Sequence, residues 1–241
     1  GSSCLERALA VVLLLAAGGC SRSPPGLPAS LFTPRYVLQG TRTTAVTSVC
    51  VETSALDGSD VALARIDALL DSSGLPTAPP ESCTWRIRFG QTVPDLPAGA
   101  QAIAAEDQGF AFRTDLEVAP VTTDIQAGST RAALYALSTA LALSSPVGPG
   151  RRSLVALTVA DAPAFKLRGV IEGFYGPPYS DADRVTLLQV MSELRQTTYV
   201  YGPQNDVYAH EDWFDPYPDD LAQPLAHAAA VAAAEGIDFV W

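Results

Sequence analysis

From Lys166 onward, apolar runs of two kinds alternate, and that order limits the fold more than any other feature of the chain. "KLRGVIEGF" (166–174), "TTYVYGP" (197–203) and "IDFVW" (237–241) are short and rich in β-branched and aromatic residues, as strands require. Between them, "SDADRVTLLQVMSELRQ" (180–196) and "DDLAQPLAHAAAVAAAEG" (219–236) are long enough for helices. Strands separated by helices open a parallel α/β unit, because parallel neighbours need a long crossover. Ser180 and Asp183 fit the capping pattern of the first helix, and Val185, Leu188 and Leu194 supply much of its apolar face. In the second helix Pro224 limits how early the helix becomes regular, and Gly236 stops it.

Residues 35–162 mix the same signals differently. "AVTSVCVE" (45–52) reads as a strand. Ser59 is placed to cap a helix in which Leu63, Ile66 and Leu70 share a face, with Gly74 near its stop. In "TWRIRFG", Trp85, Ile87 and Phe89 alternate with Arg86 and Arg88; Phe110 and Phe112 repeat the pattern in "GFAFRTD". "STRAALYALSTALAL" sets Leu134, Leu137 and Leu141 on one helical face, and Ala133 and Ala136 allow close packing. "SLVALTVAD" closes the unit as a strand. The expectation is an α+β domain with helices on one face of a sheet.

The leader carries a different message. Arg7 precedes "ALAVVLLLAAGG", which ends in small residues before Cys20. This is the pattern of a signal peptide over residues 1–19, too short to span a membrane comfortably. Small residues before a cysteine also resemble a bacterial lipobox, with Cys20 the lipidated residue, although Ala17 stands where that motif usually has Leu. An ordinary signal peptide with Cys20 as a bystander is the alternative. Residues 20–34, Ser- and Pro-rich, then read as a tether. The expected protein is exported and held at a membrane through a lipid anchor, in the periplasm or on the cell surface. Of the remaining cysteines, Cys50 and Cys83 either form a disulfide or stay as buried thiols. No Cys/His spacing suggests a metal. The formal charge of −11 argues against nucleic acid.

One short run stands apart. "RGVIEGFYGPPYS" (168–180) crowds an acid, glycines, aromatics and prolines together. With "DADR" (181–184) and "TTYVYGPQNDVYAHEDWFDPYPDD" (197–220), it resembles the opening of the catalytic barrel of glycoside hydrolase family 84. The likeness covers about Phe165 to Trp241, in order and at the right spacing. Residues 35–162 resemble, more weakly, the α+β domain shared with family 20 hexosaminidases. The resemblance implies a truncated (β/α)8 barrel over 163–241, its first three strands and two helices. In such a barrel, loops at the C-terminal strand ends carry the site.

For function, the resemblance implies a retaining β-N-acetylglucosaminidase. Such an enzyme cleaves terminal β-linked GlcNAc by substrate assistance through an oxazoline, without cofactor or metal. Gly173 and Tyr175 match sugar-contacting positions of the family. Gln204, Asn205 and Asp206 match its Lys-Asp-Asp, so a charged contact is replaced by a neutral one at Gln204. Tyr179 stands for a usual Trp. The catalytic aspartate pair is expected beyond Trp241, so the sequence reads as an inactive fragment of a longer protein. A non-catalytic glycan-binding lipoprotein of the same descent is the alternative, and an N-terminal domain acting alone in adhesion or spacing is a third.

Other candidates read as structural. Asp219-Asp220 favour a helix dipole. Glu172 is expected to pair with an arginine such as Arg168. His227 lies in an Ala-rich helix, and His210 could rim a pocket without being catalytic. Trp213, Phe214 and Tyr217 form an aromatic loop cluster that serves packing more often than stacking on sugar.

Overall fold

A computed structural model describes residues 33–53, 56 and 60–241. The leader, Cys20, most of the tether and Ser59 lie outside the described residues. Among the described residues the chain is mixed α+β, with two sheets.

The larger sheet is built from β1 (Tyr36–Val46), β2 (Val49–Glu52), β3 (Trp85–Phe89), β4 (Phe110–Asp115), β5 (Val121–Ala127), β6 (Ser145–Gly148) and β7 (Arg151–Asp161). Its order is β1-β7-β4-β5-β3-β2, with β6 paired to β7. β2, β3 and β5 run parallel, while β4 is antiparallel to both its neighbours, β5 and β7. Helices α1 (Asp60–Ser73) and α3 (Thr130–Ala142) cover one face. There Ile66, Leu70, Ala136 and Leu137 meet Trp85, Ile87, Phe110 and Phe112 in the main core.

Three expectations change. The run 45–52 is not one strand: β1 ends at Val46, and the chain turns at Thr47 and Ser48, whose amides donate to Thr84 Oγ1 at 2.9 and 3.0 Å. Helices also do not cover one face only. Helix α2 (Ala98–Ala104) lies on the opposite side, packing Ala100 and Ala104 against Ala111 and Ala160. That face of the strands carries alanine where the other carries phenylalanine, so a short Ala-rich helix fits closely. Finally, α3 is buried on more than one face, since a second unit packs on it; its buried residues include Tyr135 and Thr139 as well as Leu137 and Leu141, while Leu134 is only half-buried. Cys50 and Cys83 are joined in a disulfide that closes a 33-residue separation between β2 and the approach to β3.

The second unit holds β8 (Gly169–Glu172), α4 (Asp181–Glu193), β9 (Thr198–Tyr201), the short turn α5 (Val207–His210), α6 (Asp219–Ala234) and β10 (Asp238–Val240). The three strands are parallel, in the order β10-β9-β8. Close approach of β8 to β9 demands Gly169, where a Cβ would sit 1.7 Å from the Thr198 carbonyl oxygen. Both helices pack on one face, with Leu188, Met191, Leu225, Ala228 and Ala232 against Tyr199, Tyr201 and Phe239. Ile171 and Val240 are exposed, 69% and 45%. Ser180 caps α4 by accepting from the Asp183 amide. The buried face of α4 is Arg184, Leu188 and Met191, rather than Val185, Leu188 and Leu194. An arginine takes the core position because a carboxylate waits for it, as described below. Helix α6 starts at Asp219 despite Pro224, with both aspartates in its first turn; Pro224 forfeits only one helix bond there.

The two units meet along a polar seam. Arg195, at φ +55, places its guanidinium 3.5 Å from Asp161 on β7 and donates to Thr139 Oγ1 at 2.6 Å. Burial pushes Arg195 down to about 10, against the pull of Asp161, so it still carries its charge at neutral pH. Arg168 reaches back to Gln108 and Tyr135 and donates twice to the Arg195 carbonyl, at 2.6 and 2.9 Å. Arg168 thus belongs to the seam and not to Glu172.

Two predictions follow from burial and connectivity. Arg195→Met leaves Asp161 buried without its cation, so we expect a loss of about 3 kcal/mol or more in urea unfolding. Replacing both Cys50 and Cys83 by serine should cost about 3–4 kcal/mol through the freed unfolded loop, read as a lower urea midpoint with a steeper slope, because the unfolded chain expands.

Candidate functional site

Parallel strands end on the same side, so the segments after β8 and β9 are neighbours. Two backbone bonds carry the strand ladder into them: Gly202 N donates to Glu172 O at 3.1 Å and Gln204 N to Phe174 O at 3.3 Å. The first loop, residues 173–180, therefore lies beside the second, which begins at Gly202.

Glu172 ends β8 with its side chain turned away from solvent and toward the helices. It is fully buried, and four donors saturate it. Arg184 approaches as a fork, Nε to Oε2 and Nη2 to Oε1, both at 2.9 Å. The Tyr179 amide donates to Oε1 at 2.9 Å, and the Tyr199 hydroxyl donates to Oε2. Arg184 Nη2 also donates to the Tyr179 carbonyl at 3.0 Å. One ion pair thus holds both the start of the first loop and, through both backbone groups of Tyr179, its end. Phe174 packs edge-on against the Tyr179 ring at 5.0 Å between centroids, which closes the loop on itself.

Asp206 performs a similar task in the second loop. Its Oδ1 accepts from the Tyr208 amide at 3.0 Å and caps α5. Its Oδ2 accepts from the Tyr201 hydroxyl at 2.5 Å and the Tyr217 hydroxyl at 3.0 Å. The ring of Tyr217 packs on Tyr208 and Trp241. His210 contacts the Pro203 carbonyl at 3.1 Å, and the exposed His227 pairs with Asp181 at 2.9 Å. Trp213 and Phe214 pack edge to face and are exposed, 74% and 69%.

What these loops offer outward is mostly neutral. Gly173, Tyr175, Gln204 and Asn205 are exposed, Tyr175 to 86%. A Cβ at Gly173 would meet only Ile171 Cγ2 at 3.2 Å and Gly202 O at 4.0 Å. The fold thus asks little of that position, and its bare backbone is open to an outside group. Backbone, amide and phenol groups can bind hydroxyls and stack on a ring. Glu172 and Asp206 have their oxygens committed inside the protein and are not placed to pass a proton. Sequence reasoning brought out Gly173, Tyr175, Gln204 and Asp206 but overlooked Arg184, Tyr199 and Tyr201. The available signal was a lone arginine spaced four and seven residues from Leu188 and Met191 on an apolar face.

The hydroxyls beneath the loops shape the alkaline response. Burial first, and then the carboxylate each one bonds, push Tyr199 and Tyr201 well above the ordinary tyrosine value near 10. An acid whose folded value is raised contributes stability that is fully present below its unfolded value and is lost as pH rises toward the folded one. Unfolding free energy should therefore fall as pH rises above about 10. Ultraviolet titration should show these two phenols ionising only with unfolding, and Tyr199→Phe/Tyr201→Phe should flatten the slope.

Comparison with known proteins gives a consistent picture. Residues 168–241 match the family model described as beta-N-acetylglucosaminidase. Protein O-GlcNAcase of Mus musculus is 30% identical over 97 residues, 40% of this chain and 10% of that protein. Its counterpart in Rattus norvegicus is 31% identical over 75 residues, 31% of this chain and 8% of that protein. The solved structure of CpGH84B superposes with a TM-score of 0.66 at 21% identity, over 86% of this chain and 35% of that one. The GH20 exo-β-N-acetylglucosaminidase of Vibrio harveyi, solved with N-acetylglucosamine, gives 0.54 at 16% identity, over 89% and 35%. The chain thus spans about a tenth of the curated relatives it matches and about a third of the solved structures. At these identities the solved structures speak for the fold alone.

Proposed function

We propose that this chain, a relative of the glycoside hydrolase family 84 β-N-acetylglucosaminidases through residues 168–241, is the N-terminal part of an exported enzyme that removes terminal β-linked GlcNAc from glycans or glycoconjugates. The observation that carries the reading is the pair of adjoining loops at the C-terminal ends of β8 and β9, with Gly173, Tyr175 and Gln204 facing outward from a locked base. Three parallel strands in chain order, with both helices on one face, support the start of a (β/α)8 barrel over 163–241; a doubly wound sheet would carry helices on both faces.

On this reading Gly173 presents backbone to the sugar, Tyr175 stacks on it and Gln204 bonds a hydroxyl. Asp206 orders the second loop from below. Retention through the substrate's own acetamido group, with an oxazoline intermediate, requires an aspartate pair that we place beyond Trp241. Asp219 and Asp220 open a helix, and Glu172 is sealed. Residues 35–162 form the accompanying α+β domain. The Cys50–Cys83 disulfide supports an oxidising compartment, in keeping with a signal peptide over 1–19 and lipidation at Cys20.

A second reading is favoured by one observation: Gln204 and Asn205, both exposed, stand where the family has Lys and Asp. On it, the protein binds GlcNAc-containing glycans without cleaving them. The product of the whole reading frame, assayed on an aryl β-GlcNAc, separates the two. We expect turnover by the whole product and none by residues 21–241 alone. Turnover by the shorter piece would overturn the placement of the aspartates. Binding without turnover by the whole product would favour the second reading.

A further inference from the structure

We infer that Arg184 is a positioning residue that couples the two site loops, so that the conformation of one depends on the other. The inference concerns the site as read under Proposed function, and it deepens that reading.

The connection runs through side chains under the loops. Arg184 holds the base of the first loop through Glu172 and the Tyr179 carbonyl. Its guanidinium carbon also lies 5.2 Å from the centroid of the Tyr201 ring, over its face. The hydroxyl of that ring is the 2.5 Å donor to Asp206, which caps α5 and receives Tyr217. One planar cation therefore sits between the carboxylate of the first loop and the tyrosine that anchors the second. Glu172 is fully buried and the Arg184 side chain is 4% exposed, so solvent does not screen either contact. A fork, a third bond and a flat face over an aromatic ring are properties of arginine that lysine lacks. Core filling alone would explain an apolar residue beside Leu188 and Met191. It does not explain a guanidinium that bonds the strand end and the closing residue of the first loop and lies over the ring that anchors the second.

The backbone ladder at Gly202 and Gln204 also joins the loops, so the test must read what the side chains add. Amide hydrogen exchange on the full chain reports each loop separately. The Tyr179 amide reports the first, the Tyr208 amide the second, and Ala228 and Ala232 in α6 serve as the fold control. Arg184→Lys keeps charge and stem but loses the fork and the flat face. It should speed exchange at both Tyr179 and Tyr208 by about tenfold, with the controls unchanged. Tyr201→Phe keeps the ring under Arg184 and removes the bond to Asp206, so it should speed Tyr208 only. Adding it to Arg184→Lys should have a less than additive effect at Tyr208.

Wild-type exchange at Tyr208 in Arg184→Lys, or full additivity in the pair, would overturn the coupling. Where Arg184→Lys loosens the controls too, Tyr201→Leu carries the test in reverse. It removes the ring from Arg184 and must speed Tyr179; unchanged exchange there would again refute the idea. Calorimetric titration with GlcNAc keeps the two claims apart. Coupled exchange with no GlcNAc binding by the wild-type chain or the whole product leaves the coupling standing and counts against the sugar site. Binding that weakens about tenfold in Arg184→Lys, with the controls unchanged, supports both.

Discussion

The buried ion pair between Glu172 and Arg184 is the contact on which the second unit is organised. Removing two charges from water is expensive, and their mutual attraction need not repay it. The gain here is geometric. A carboxylate with four donors has one arrangement, and that arrangement fixes where β8 ends, where the first loop returns and how α4 lies on the sheet. An apolar pair of the same volume would fill the core without naming a place for the Tyr179 backbone.

The seam between the units works by the same means. Across it, Arg195 reaches the Thr139 hydroxyl and the Asp161 carboxylate, and Arg168 reaches the Gln108 side-chain amide and the Tyr135 hydroxyl, while Arg168 also braces the Arg195 carbonyl within its own unit. Arg131 and Arg65 add ion pairs to Asp238 and Glu235. Helix α3 is covered by the main sheet on one side and by the second unit on the other. This burial explains why residues such as Tyr135 and Thr139 sit inside.

Much of the second unit and part of the first are legible in the sequence. Alternation in "TWRIRFG" marks β3 because a strand sends neighbours to opposite faces. Ser180 before "DADR" marks the start of α4 because a hydroxyl can take an orphan amide. The order of strands and helices after Lys166 implies parallel pairing. Other features left no local trace. Helix α2, seven residues of mostly alanine and glycine after Pro97, has too few large apolar residues to show a period. The break at Thr47 depends on Thr84, which is 37 residues away.

By itself, then, the chain's order determined most of the kinds of element and their parallel pairing in the second unit. Those properties rest on local periodicity, capping and spacing, which neighbouring residues decide among themselves. Only the tertiary structure decided the partners of the charged side chains. Glu172 found Arg184 and not Arg168, Asp206 turned inward to tyrosines, and Cys50 found Cys83. Such choices are made by desolvation: a buried charge or thiol takes the partner that the packed core brings to it, and sequence distance does not limit that choice.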